Sequence, residues 1–335
     1  MQRIYLITGA SGFVGNNVVK ILAAKGARIR AFVFTKGKEK TALENVNAEI
    51  IYGDIRKPAD IELLFKKEET CEYIFIHTAS VVDIGVTNFS QELHDVNVTG
   101  TRNVLAACMA HKVKRLVYVS SVHAITEPKK KALTTEPDYF KAAEVHGAYA
   151  KTKAEASISV LEAIRNGLDA VMIHPAGIIG PGDYSNTHTT QFILDFAKHR
   201  LPAGVGGGYD FVDVREVAGA IVAAVDTGSA GSRWIISGRY ITVKEIFDIL
   251  GKILGEKKHL PTMPMWLAMI GLPFLWLFAI LTKKRPLYTR YSLYTLRSNS
   301  NFSSAKAAKE LGHKPRLIEE TFADTIAFLK EKGKL

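Results

Sequence analysis

The sequence has few cysteines, two in 335 residues, and both Cys71 and Cys108 lie in apolar surroundings. So few thiols argue against a disulfide framework, and buried thiols in a reducing compartment are the better interpretation. Cysteine and histidine do not occur together at the spacing of a zinc site, so we predict no bound metal. Met1-Gln2-Arg3 leads directly into an apolar run, so we expect no secretory signal and a cytoplasmic protein.

Acidic residues are also in short supply. The chain has 33 Asp and Glu against 44 Lys and Arg, which gives a formal charge of +11. The basic excess is scattered, with small clusters at residues 36–40, 129–131 and 283–285. Since no basic helix is interleaved with aromatic residues, we predict no nucleic-acid partner. A phosphorylated cofactor or an anionic membrane surface could use the charge, and a positively biased soluble surface is the alternative.

Apolar runs of strand length alternate with helical patterns in the first half of the chain. The predicted strands are rich in β-branched and aromatic residues and comprise Ile4–Thr8, Arg28–Phe34, Glu49–Tyr52, Tyr73–His77, Arg115–Ser120 and Ala170–His174. The predicted helices fill several of the gaps and comprise Asn16–Lys25, Ile61–Lys67, Val98–His111 and Gly147–Asn166. This alternation predicts the α/β class, with a Rossmann-type doubly wound parallel sheet and a smaller C-terminal substrate-binding lobe.

After about residue 175 the alternation weakens. The glycine-rich stretch 204–208 lacks a clear strand–helix frame, so it predicts a mobile connection and not a second phosphate site. Trp234–Ser237 and Val243–Leu254 predict one more strand and one more helix. We therefore assign residues 1–175 to a dinucleotide-binding domain, with later returns to its sheet around 210–240. Residues 176–335 form mainly the substrate-binding lobe, which includes the apolar segment 264–282.

A glycine-rich stretch, TGASGFVG at residues 8–15, lies between the first predicted strand and the first predicted helix. A dinucleotide-binding loop requires this context. Gly9 can make the tight turn, Gly12 admits a pyrophosphate to the backbone, and Gly15 lets the helix pack closely on the sheet. The helix N-terminus adds partial positive charge for the phosphates.

Tyr149 and Lys153 are four residues apart in a helical pattern, so their side chains share one helix face. Such a pair is usually made of surface neighbours. Upstream, however, the predicted fifth strand ends in Ser120-Ser121, and ligands of open α/β sheets lie at the carboxyl ends of strands. The order of glycine loop, strand-end serine and Tyr-x-x-x-Lys therefore makes these residues candidate catalytic groups.

Together these motifs resemble the extended short-chain dehydrogenase/reductases of the NAD-dependent epimerase/dehydratase superfamily. The most similar branch holds the dihydroflavonol reductases and 3β-hydroxysteroid dehydrogenases, and the resemblance runs nearly end to end. Further stretches that carry it are Gly53-Asp54-Ile55, His77-Thr78-Ala79-Ser80, Asn97-Val98-Thr99-Gly100-Thr101, His174-Pro175-Ala176-Gly177 and Phe211-Val212-Asp213-Val214-Arg215. This set is specific for the family and only weakly specific for a substrate.

The resemblance implies an oxidoreductase that interconverts a carbonyl and an alcohol by hydride transfer. Tyr149 would be the general acid/base that exchanges a proton with the substrate oxygen. Lys153 would hold the nicotinamide ribose and, with the positive nicotinamide ring, lower the pKa of Tyr149 from its usual value of about 10. Ser121 would donate a hydrogen bond to the substrate oxygen, and Ser120 is the alternative bearer of that role.

The implied cofactor contacts lie mostly in loops that follow strands, and some have a plain structural alternative. Asp54 would bond the adenine end of the cofactor or else make a turn in its loop. Asn97 would be a polar anchor beside the cofactor or else a helix start, whereas His77 suits a packed core position. The full implied set is Gly9, Ser11, Gly12, Phe13, Val14, Gly15, Lys36, Asp54, Ile55, Thr78, Ala79, Ser80, Asn97, Tyr149, Lys153, Pro175, Ala176 and Gly177.

The residues after the second predicted strand favour NADP(H) over NAD(H). An NAD site usually places an acidic residue there for the ribose 2′-hydroxyl, and none occurs before Glu39. Lys36 and Lys38 could instead meet a 2′-phosphate. Against this, many NADP-using relatives carry an arginine where Phe34 stands, and lysine is common in surface loops.

The segment 264–282 is apolar and uncharged, and it is followed by Lys283-Lys284-Arg285. Its length is close to the roughly 20 residues that span a bilayer, but Gly271 and Pro273 interrupt its middle. Two interpretations are therefore better: a helix pair over an apolar substrate pocket, or a lid with peripheral membrane contact through 264–285. Either suits a small, apolar carbonyl or alcohol substrate, and a homodimer is compatible with the sequence.

Two other functions are open alternatives. A nucleotide-sugar epimerase or dehydratase on the same scaffold would need a polar diphosphate pocket, for which Arg215, Arg239 and Arg290 are candidates. Residues 178–210 and 262–300 are mostly apolar, aromatic or hydroxyl-bearing, which favours a reductase. A non-catalytic dinucleotide sensor would typically lack the Tyr149/Lys153 pair.

Overall fold

Seven parallel strands form the central sheet. The computed structural model describes residues 2–34, 39–66, 71–83, 89–128, 132–256, 260–272 and 289–335. The sheet strands are β1 (Gln2–Thr8), β2 (Arg28–Val33), β3 (Glu49–Tyr52), β4 (Cys71–His77), β5 (Arg115–Val119), β6 (Ala170–Pro175) and β10 (Arg233–Ile236). Each coincides with a predicted strand to within a few residues, because strands that are covered on both faces read as nearly continuous apolar runs.

The strand order in space is β3-β2-β1-β4-β5-β6-β10, and every neighbouring pair is parallel. The chain moves outward in one direction from β1 to β3 and in the other direction from β4 to β6. The order therefore reverses between β1 and β4, where Thr8 lies beside His77 at the carboxyl ends of the two strands. A crevice at such a reversal is where open α/β sheets bind ligands.

Helices cover both faces of this sheet. Val18 of the first helix and Ile221 of the seventh pack on one face, and Val104 of the fourth and Val160 of the fifth pack on the other. Apart from the helical residues 265–272, the α-helices of the described residues are α1 (Phe13–Ala24), α2 (Pro58–Glu62), α3 (Gln91–His94), α4 (Gly100–Ala110), α5 (Ala148–Arg165), α6 (His188–Ala197), α7 (Val214–Ala224), α8 (Val243–Leu254), α9 (Arg290–Thr295), α10 (Ala305–Leu311) and α11 (Ile318–Glu331). Cys71 and Cys108 are not joined to each other in a disulfide bond. Cys108 is buried, whereas Cys71 is only partly buried.

The helix predicted to begin at Val98 begins earlier. Ser90 caps α3, with its hydroxyl accepting a hydrogen bond from the Leu93 N–H, and a π turn over Asp95–Thr99 joins α3 to α4. Asn97 therefore lies inside a continuous helical stretch, and its interpretation as a helix start is wrong. The sequence does not indicate this cap, because the helix before Val98 is short and mostly polar.

Smaller sheets form beyond residue 176. The strands β7 (Gly177–Ile179), β9 (Gly208–Asp213) and β11 (Arg239–Thr242) make a three-stranded sheet, and β8 (Gly204–Val205) pairs with β12 (Thr262–Met263). The prediction of a mobile connection over the whole of 204–208 is therefore wrong, because Gly204, Val205 and Gly208 are strand residues and residues 206–207 alone connect them. A Cβ on Gly204 would lie 2.5 Å from the Phe247 ring, so this glycine permits close packing against α8.

The apolar segment 264–282 is described only as far as residue 272, and Pro273 to Tyr288 lie outside the described residues. Residues 265–272 are helical, and Ala268 on one face packs with Val205 and Leu293. Trp266 and Ile270 are exposed on the helix surface, with 65% of the Trp266 side chain accessible. Within the described ranges, no helix is both long enough and apolar enough to span a membrane.

Candidate active site

The glycine loop turns from β1 into α1 at the reversal point of the sheet. Gly9 has a left-handed backbone with a φ of +66°, and a Cβ on it would lie 2.7 Å from the Cα of Ala79. A Cβ on Gly15 would lie 2.0 Å from the carbonyl oxygen of Gly9. These glycines bring β1, α1 and the loop after β4 closer together than other residues would allow.

The N-terminus of α1 suits an anion. Its N-cap is Gly12, which has no side chain that could bond the first N–H groups, and the residues of its first turn include no acid. The first backbone N–H groups of a helix have no intrahelical acceptor and carry partial positive charge. Phe13 and Val14 lie in this first turn, and Ser11 precedes the N-cap, so the predicted residues 9–15 together fit the pyrophosphate of a dinucleotide.

The loop after β4 lies against the glycine loop. The Thr78 hydroxyl donates a hydrogen bond of 2.7 Å to the Thr8 carbonyl, and its oxygen would be 2.9 Å from a Cβ on Gly15. Ala79 packs on Gly9, and Ser80 donates to the Asn97 amide oxygen at 3.0 Å. The structure therefore brings the predicted residues Thr78, Ala79 and Ser80 to the same crevice as the glycine loop.

Asn97 joins that loop to the helix that carries Tyr149. Its amide oxygen accepts the Val81 N–H at 2.8 Å, and its amide nitrogen donates to the Val81 carbonyl and to the Thr152 hydroxyl. Thr152 in turn donates to the Tyr149 carbonyl at 2.9 Å. These bonds use both ends of the amide within the protein, so Asn97 positions the crevice walls.

His77 is a buried core residue whose tautomer follows from its partners. The Thr101 hydroxyl donates to the Asn97 carbonyl at 2.7 Å, so its oxygen must accept from His77 Nε2–H at 3.0 Å. Nδ1 then accepts from the Thr8 hydroxyl at 2.6 Å. Burial lowers the pKa of His77 to about 3, so the ring is neutral, in agreement with its predicted place in the core.

Tyr149 lies in the first turn of α5, and Ser121 follows β5. The Ser121 oxygen accepts the backbone N–H of His123 at 3.2 Å, which leaves its own proton free to donate. Burial raises the pKa of Tyr149 to about 12, and a hydrogen bond with the Ser121 hydroxyl opposes that rise. Only 7% of Tyr149 is exposed, so the two hydroxyl groups meet in a site largely closed to water.

Ser120 faces away from this pair. The Ser157 hydroxyl donates to the Lys153 carbonyl at 2.8 Å, so its oxygen accepts from the Ser120 hydroxyl, also at 2.8 Å. The Ser120 proton is therefore used between β5 and α5, and the geometry favours Ser121 over Ser120 as the group that can bind a substrate oxygen.

Lys153 lies one turn along α5 from Tyr149 and is 3% exposed. Its Nζ donates to the Val119 carbonyl at 2.7 Å and lies 4.9 Å from the centre of the Tyr118 ring. Burial lowers the pKa of Lys153 to about 7. Burial raises the pKa of Tyr149 in the folded chain, so the lowering expected from Lys153 together with a nicotinamide ring stays a prediction.

The adenine side of the predicted site is only partly formed by the residues expected there. Asp54 accepts the backbone N–H of Arg56 at 3.0 Å and pairs with its guanidinium, so it makes the turn that was its alternative role. Ile55 packs in the core, where its side chain would meet a Cβ on Gly100 at 2.6 Å. Lys36 lies outside the described residues.

Pro175 ends β6, Gly177 begins β7, and Ala176 connects the two strands. The Ala176 N–H donates to the Ile236 carbonyl at 3.0 Å, and a Cβ on Gly177 would lie 2.8 Å from the Phe211 ring. The side chain of His174, just before them, is 3.3 Å from the Ser121 carbonyl through Nδ1. These three residues therefore lie near the serine end of the crevice.

Sequence reasoning missed a group of aromatic residues around Tyr149. The His123 ring is 6.1 Å from the Tyr149 ring, and its Nε2 is 3.0 Å from the Tyr209 hydroxyl. The Tyr291 ring is 6.2 Å from that of His123. A signal in the sequence is the glycine at position 147, just before Tyr149. Its φ of +93° and its contact with Tyr291 leave no room for a side chain, which is why glycine stands there.

A wide groove of about 710 Å³ lies elsewhere on the molecule. It is lined by Gln2 and Arg28, which begin β1 and β2, so it opens at the amino ends of the strands. The glycine loop and Tyr149 lie at the opposite edge of the sheet. Cavity size therefore does not locate the candidate site, whereas the convergence of buried polar groups does.

The glycine loop, the strand-end serine and the Tyr149/Lys153 helix face meet at one edge of the sheet, and comparison with known proteins assigns this arrangement. A model of the 3-beta hydroxysteroid dehydrogenase/isomerase family matches residues 6–232, which is more than half of the chain. The chain belongs to this family. It is an extended short-chain dehydrogenase/reductase of the dihydroflavonol reductase and 3β-hydroxysteroid dehydrogenase-like branch, an enzyme that acts on CH–OH groups.

Relatives in this family match the chain over its length. Sterol demethylase protein B of Methylococcus capsulatus is 32% identical over 333 residues, and the match covers 98% of each chain. A putative dihydroflavonol 4-reductase of a Synechocystis species is 28% identical over 340 residues, covering 99% of this chain and 96% of that one. The sequence prediction of the family is thus confirmed.

Solved structures agree with the fold. The crystal structure of gox2253 is 30% identical, with a TM-score of 0.83 and 99% of each chain covered. A UDP-glucose 4-epimerase of Thermotoga maritima is 20% identical with a TM-score of 0.77, covering 98% of this chain and 99% of that one. At that identity the second likeness concerns the fold alone.

Proposed function

We propose that this enzyme interconverts a carbonyl and a primary or secondary alcohol, with a nicotinamide dinucleotide as the hydride carrier. The observation that carries the proposal is the buried Tyr149/Ser121 pair, which lies at the carboxyl end of β5. The Ser121 oxygen already accepts the His123 N–H, so its proton is available to a substrate oxygen. In this proposal residues 1–175 hold the dinucleotide, and residues 176–335 form mainly the substrate side.

The nicotinamide would supply a hydride to the carbonyl carbon or take one from the carbinol carbon. Tyr149 Oη would give its proton to the substrate oxygen in reduction and receive one in oxidation. Because burial raises the pKa of Tyr149 to about 12, this phenol is protonated near neutral pH, which suits a proton donor. Ser121 Oγ would donate a second hydrogen bond to the same oxygen as negative charge develops there.

Lys153 would change its role when the dinucleotide binds. Its Nζ lies in the crevice next to Tyr149 on the same helix face and is held by the Val119 carbonyl at 2.7 Å. An amine with a pKa near 7 can lose or gain its proton at little cost, so it can hydrogen-bond a ribose hydroxyl and also stabilise a phenolate. Burial strengthens both interactions, because water is excluded from the site.

For the cofactor we favour NADP(H) over NAD(H). The Arg56 guanidinium lies 5.9 Å from the centre of the Phe34 ring, so a cation stands near the place where many NADP-using relatives carry an arginine. The Asp54 carboxylate pairs with this guanidinium and neutralises part of its charge. The test is to compare the dissociation constants of NADPH and NADH in the native enzyme and in Arg56→Met. Equal or tighter NADH binding in the native enzyme refutes the preference.

We propose a small, mainly apolar substrate. The His123 ring contacts that of Tyr149, and the rings of Tyr209 and Tyr291 contact that of His123. The names of the relatives, which include sterol and dihydroflavonol enzymes, agree with apolar ring substrates. The exposed Trp266 and Ile270 support peripheral membrane contact of an otherwise cytoplasmic enzyme. A homodimer remains a prediction from the sequence.

The nucleotide-sugar epimerase alternative finds less support in two of the three arginines that it would use. Arg215 is engaged by Asp213 at 2.6 Å and by Asp324 at 2.7 Å. Arg239 pairs with Glu319 at 3.1 Å and with Glu245 at 3.4 Å. Neither guanidinium is therefore free to bind a substrate diphosphate without losing these carboxylate partners.

The proposal is tested by measuring oxidation of NADPH and NADH with a panel of cyclic and steroid ketones. We expect Tyr149→Phe to lower turnover by about two to four orders of magnitude, because the acid/base group is lost, while cofactor binding persists. Tyr240→Phe is the matched control, since Tyr240 is exposed on β11, and it should keep full activity.

Stoichiometry separates the alternatives. A reductase consumes one nicotinamide per product, whereas an epimerase turns over UDP-sugars on its bound cofactor without net consumption. Full activity in Tyr149→Phe, or turnover of a UDP-sugar without added cofactor, contradicts the proposed function.

A further inference from the structure

Tyr291 is buried completely, with 0% of the residue exposed, and its hydroxyl has no hydrogen-bond partner among the described residues. Nearly all buried polar groups in folded proteins are satisfied, so each exception needs a physical reason. A phenylalanine would fill the same space without leaving a polar group unsatisfied. The hydroxyl therefore makes the folded chain less stable than phenylalanine would. Such a cost is typical of a group whose hydrogen-bond partner is a ligand.

The position of Tyr291 points to the ligand. Its ring covers Gly147, where a Cβ would come within 2.2 Å, and Gly147 is the N-cap of the helix that carries Tyr149. Burial raises the pKa of Tyr291 most, and the ionised forms of Tyr149, Tyr294 and Glu127 raise it further. The rings of Tyr291 and Tyr149 both contact the His123 ring, at 6.2 and 6.1 Å between ring centres, so the two phenols lie near each other where α9 meets α5.

Neighbouring phenols behave differently. The Tyr209 hydroxyl is 3.0 Å from His123 Nε2, and the Tyr294 hydroxyl donates to the Glu127 carboxylate at 2.6 Å. Tyr294 lies one turn after Tyr291 on α9, and its bond to Glu127 fastens that helix in place. The unsatisfied hydroxyl of Tyr291 is therefore held on a well-anchored helix and does not result from a loosely placed segment.

We propose that Tyr291 is a substrate-binding residue whose hydroxyl donates a hydrogen bond to a second oxygen of the substrate, close to the reacting carbon. This rests on the proposed carbonyl–alcohol activity. The oxygen is a neutral one, from an ether, hydroxyl or second carbonyl group. Burial lowers the pKa of the adjacent His123 to about 4, so that ring carries no charge near neutral pH, and Glu127 would repel an anion.

The test compares Tyr291→Phe with Tyr294→Phe, two identical changes on one short helix. The probes are a decalone and the methoxydecalone whose ether oxygen lies next to the carbonyl. Tyr291→Phe should keep or raise the melting temperature, because it removes an unsatisfied buried hydroxyl. It should raise KM for the methoxydecalone about five- to tenfold, the worth of one neutral hydrogen bond, with kcat and the decalone KM little changed.

Tyr294→Phe should do the opposite, with a lower melting temperature and unchanged KM for both ketones, because its hydroxyl is bonded within the protein. The proposal is overturned if Tyr291→Phe lowers the melting temperature as Tyr294→Phe does, since the hydroxyl then has a partner in the protein or a bound water. It is also overturned if KM for the two ketones changes equally or not at all. If the native enzyme turns over no ketone, the proposed function is contradicted. The melting temperatures then show by themselves whether the Tyr291 hydroxyl has a hydrogen-bond partner in the protein.

Discussion

Replacing Gly15 with alanine tests the glycine loop by a single methyl group. The new Cβ would lie 2.0 Å from the Gly9 carbonyl oxygen and 2.9 Å from the Thr78 hydroxyl, whereas ordinary contact begins at 3.4 Å. The loop would therefore have to retreat by 3.4 − 2.0 = 1.4 Å from α1. Overpacking of this kind costs about 1–3 kcal/mol, and the helix propensity of alanine returns about 1 kcal/mol.

The retreat matters more for binding than for folding. Gly9 and Gly12 would move relative to the N–H groups of α1, so a pyrophosphate could no longer meet both. We expect the dissociation constant of the nicotinamide dinucleotide to rise about 10- to 100-fold, which corresponds to about 1.4–2.7 kcal/mol. Titration calorimetry gives the constant, and urea unfolding gives the stability of the same variant.

Gly219→Ala is the matched control. Gly219 lies within α7, and a Cβ on it would have no heavy atom within 4 Å. Alanine should therefore stabilise the fold by about 0.5–1 kcal/mol and leave the dissociation constant unchanged. A folded Gly15→Ala variant that binds the dinucleotide as tightly as Gly219→Ala would refute the reasoning.

Further predictions concern the buried amine and the two serines. The pKa of Lys153 is about 7 in the folded chain and 10.5 for an unperturbed lysine, so the unfolded chain binds the extra proton between these values. Stability should therefore rise with pH across this window, by up to about 1.4 kcal/mol per pH unit, and urea unfolding of Lys153→Met should lack that rise. An identical pH dependence of stability in both proteins would contradict the claim that burial lowers the pKa of Lys153. Ser121→Ala should lower kcat/KM about 100-fold, whereas Ser120→Ala should keep most activity. Each change removes one hydrogen bond within the protein, from the His123 N–H or to the Ser157 hydroxyl, so each should cost about 1 kcal/mol of stability. A reversed pattern in steady-state kinetics would assign the role to Ser120.

The parallel sheet could be predicted from the sequence because its strands are covered on both faces by helices with their own periodicity. The helix Val243–Leu254 agrees residue for residue, since its ends carry strong local signals: a capping box at Thr242 and a left-handed Gly255. The short strands β7, β8 and β12 could not be predicted in this way. They have two or three residues each, and their pairing is set by contacts across the fold.

The candidate site divides in the same manner. The residues of the glycine loop are close to one another in sequence, so they form one turn. Tyr149 and Lys153 are four residues apart, so their spacing alone brings them to one helix face. The His123–Tyr209 contact joins residues 86 positions apart, and Tyr291 reaches Gly147 from a helix near the C-terminus. The low pKa of Lys153 likewise follows from burial and could not be read from the sequence.

The central claim is that Tyr149 moves the proton while a nicotinamide moves the hydride, and single-turnover kinetics test it most directly. The native enzyme and Tyr149→Phe are each saturated with a cofactor that carries deuterium on its hydride-donating carbon, and each is mixed with a ketone that the native enzyme reduces. We expect deuterium in the alcohol formed by the native enzyme, and transfer slowed at least about 100-fold in Tyr149→Phe although the cofactor is still bound. Equal transfer rates in the two proteins, or an alcohol without deuterium, would contradict the account.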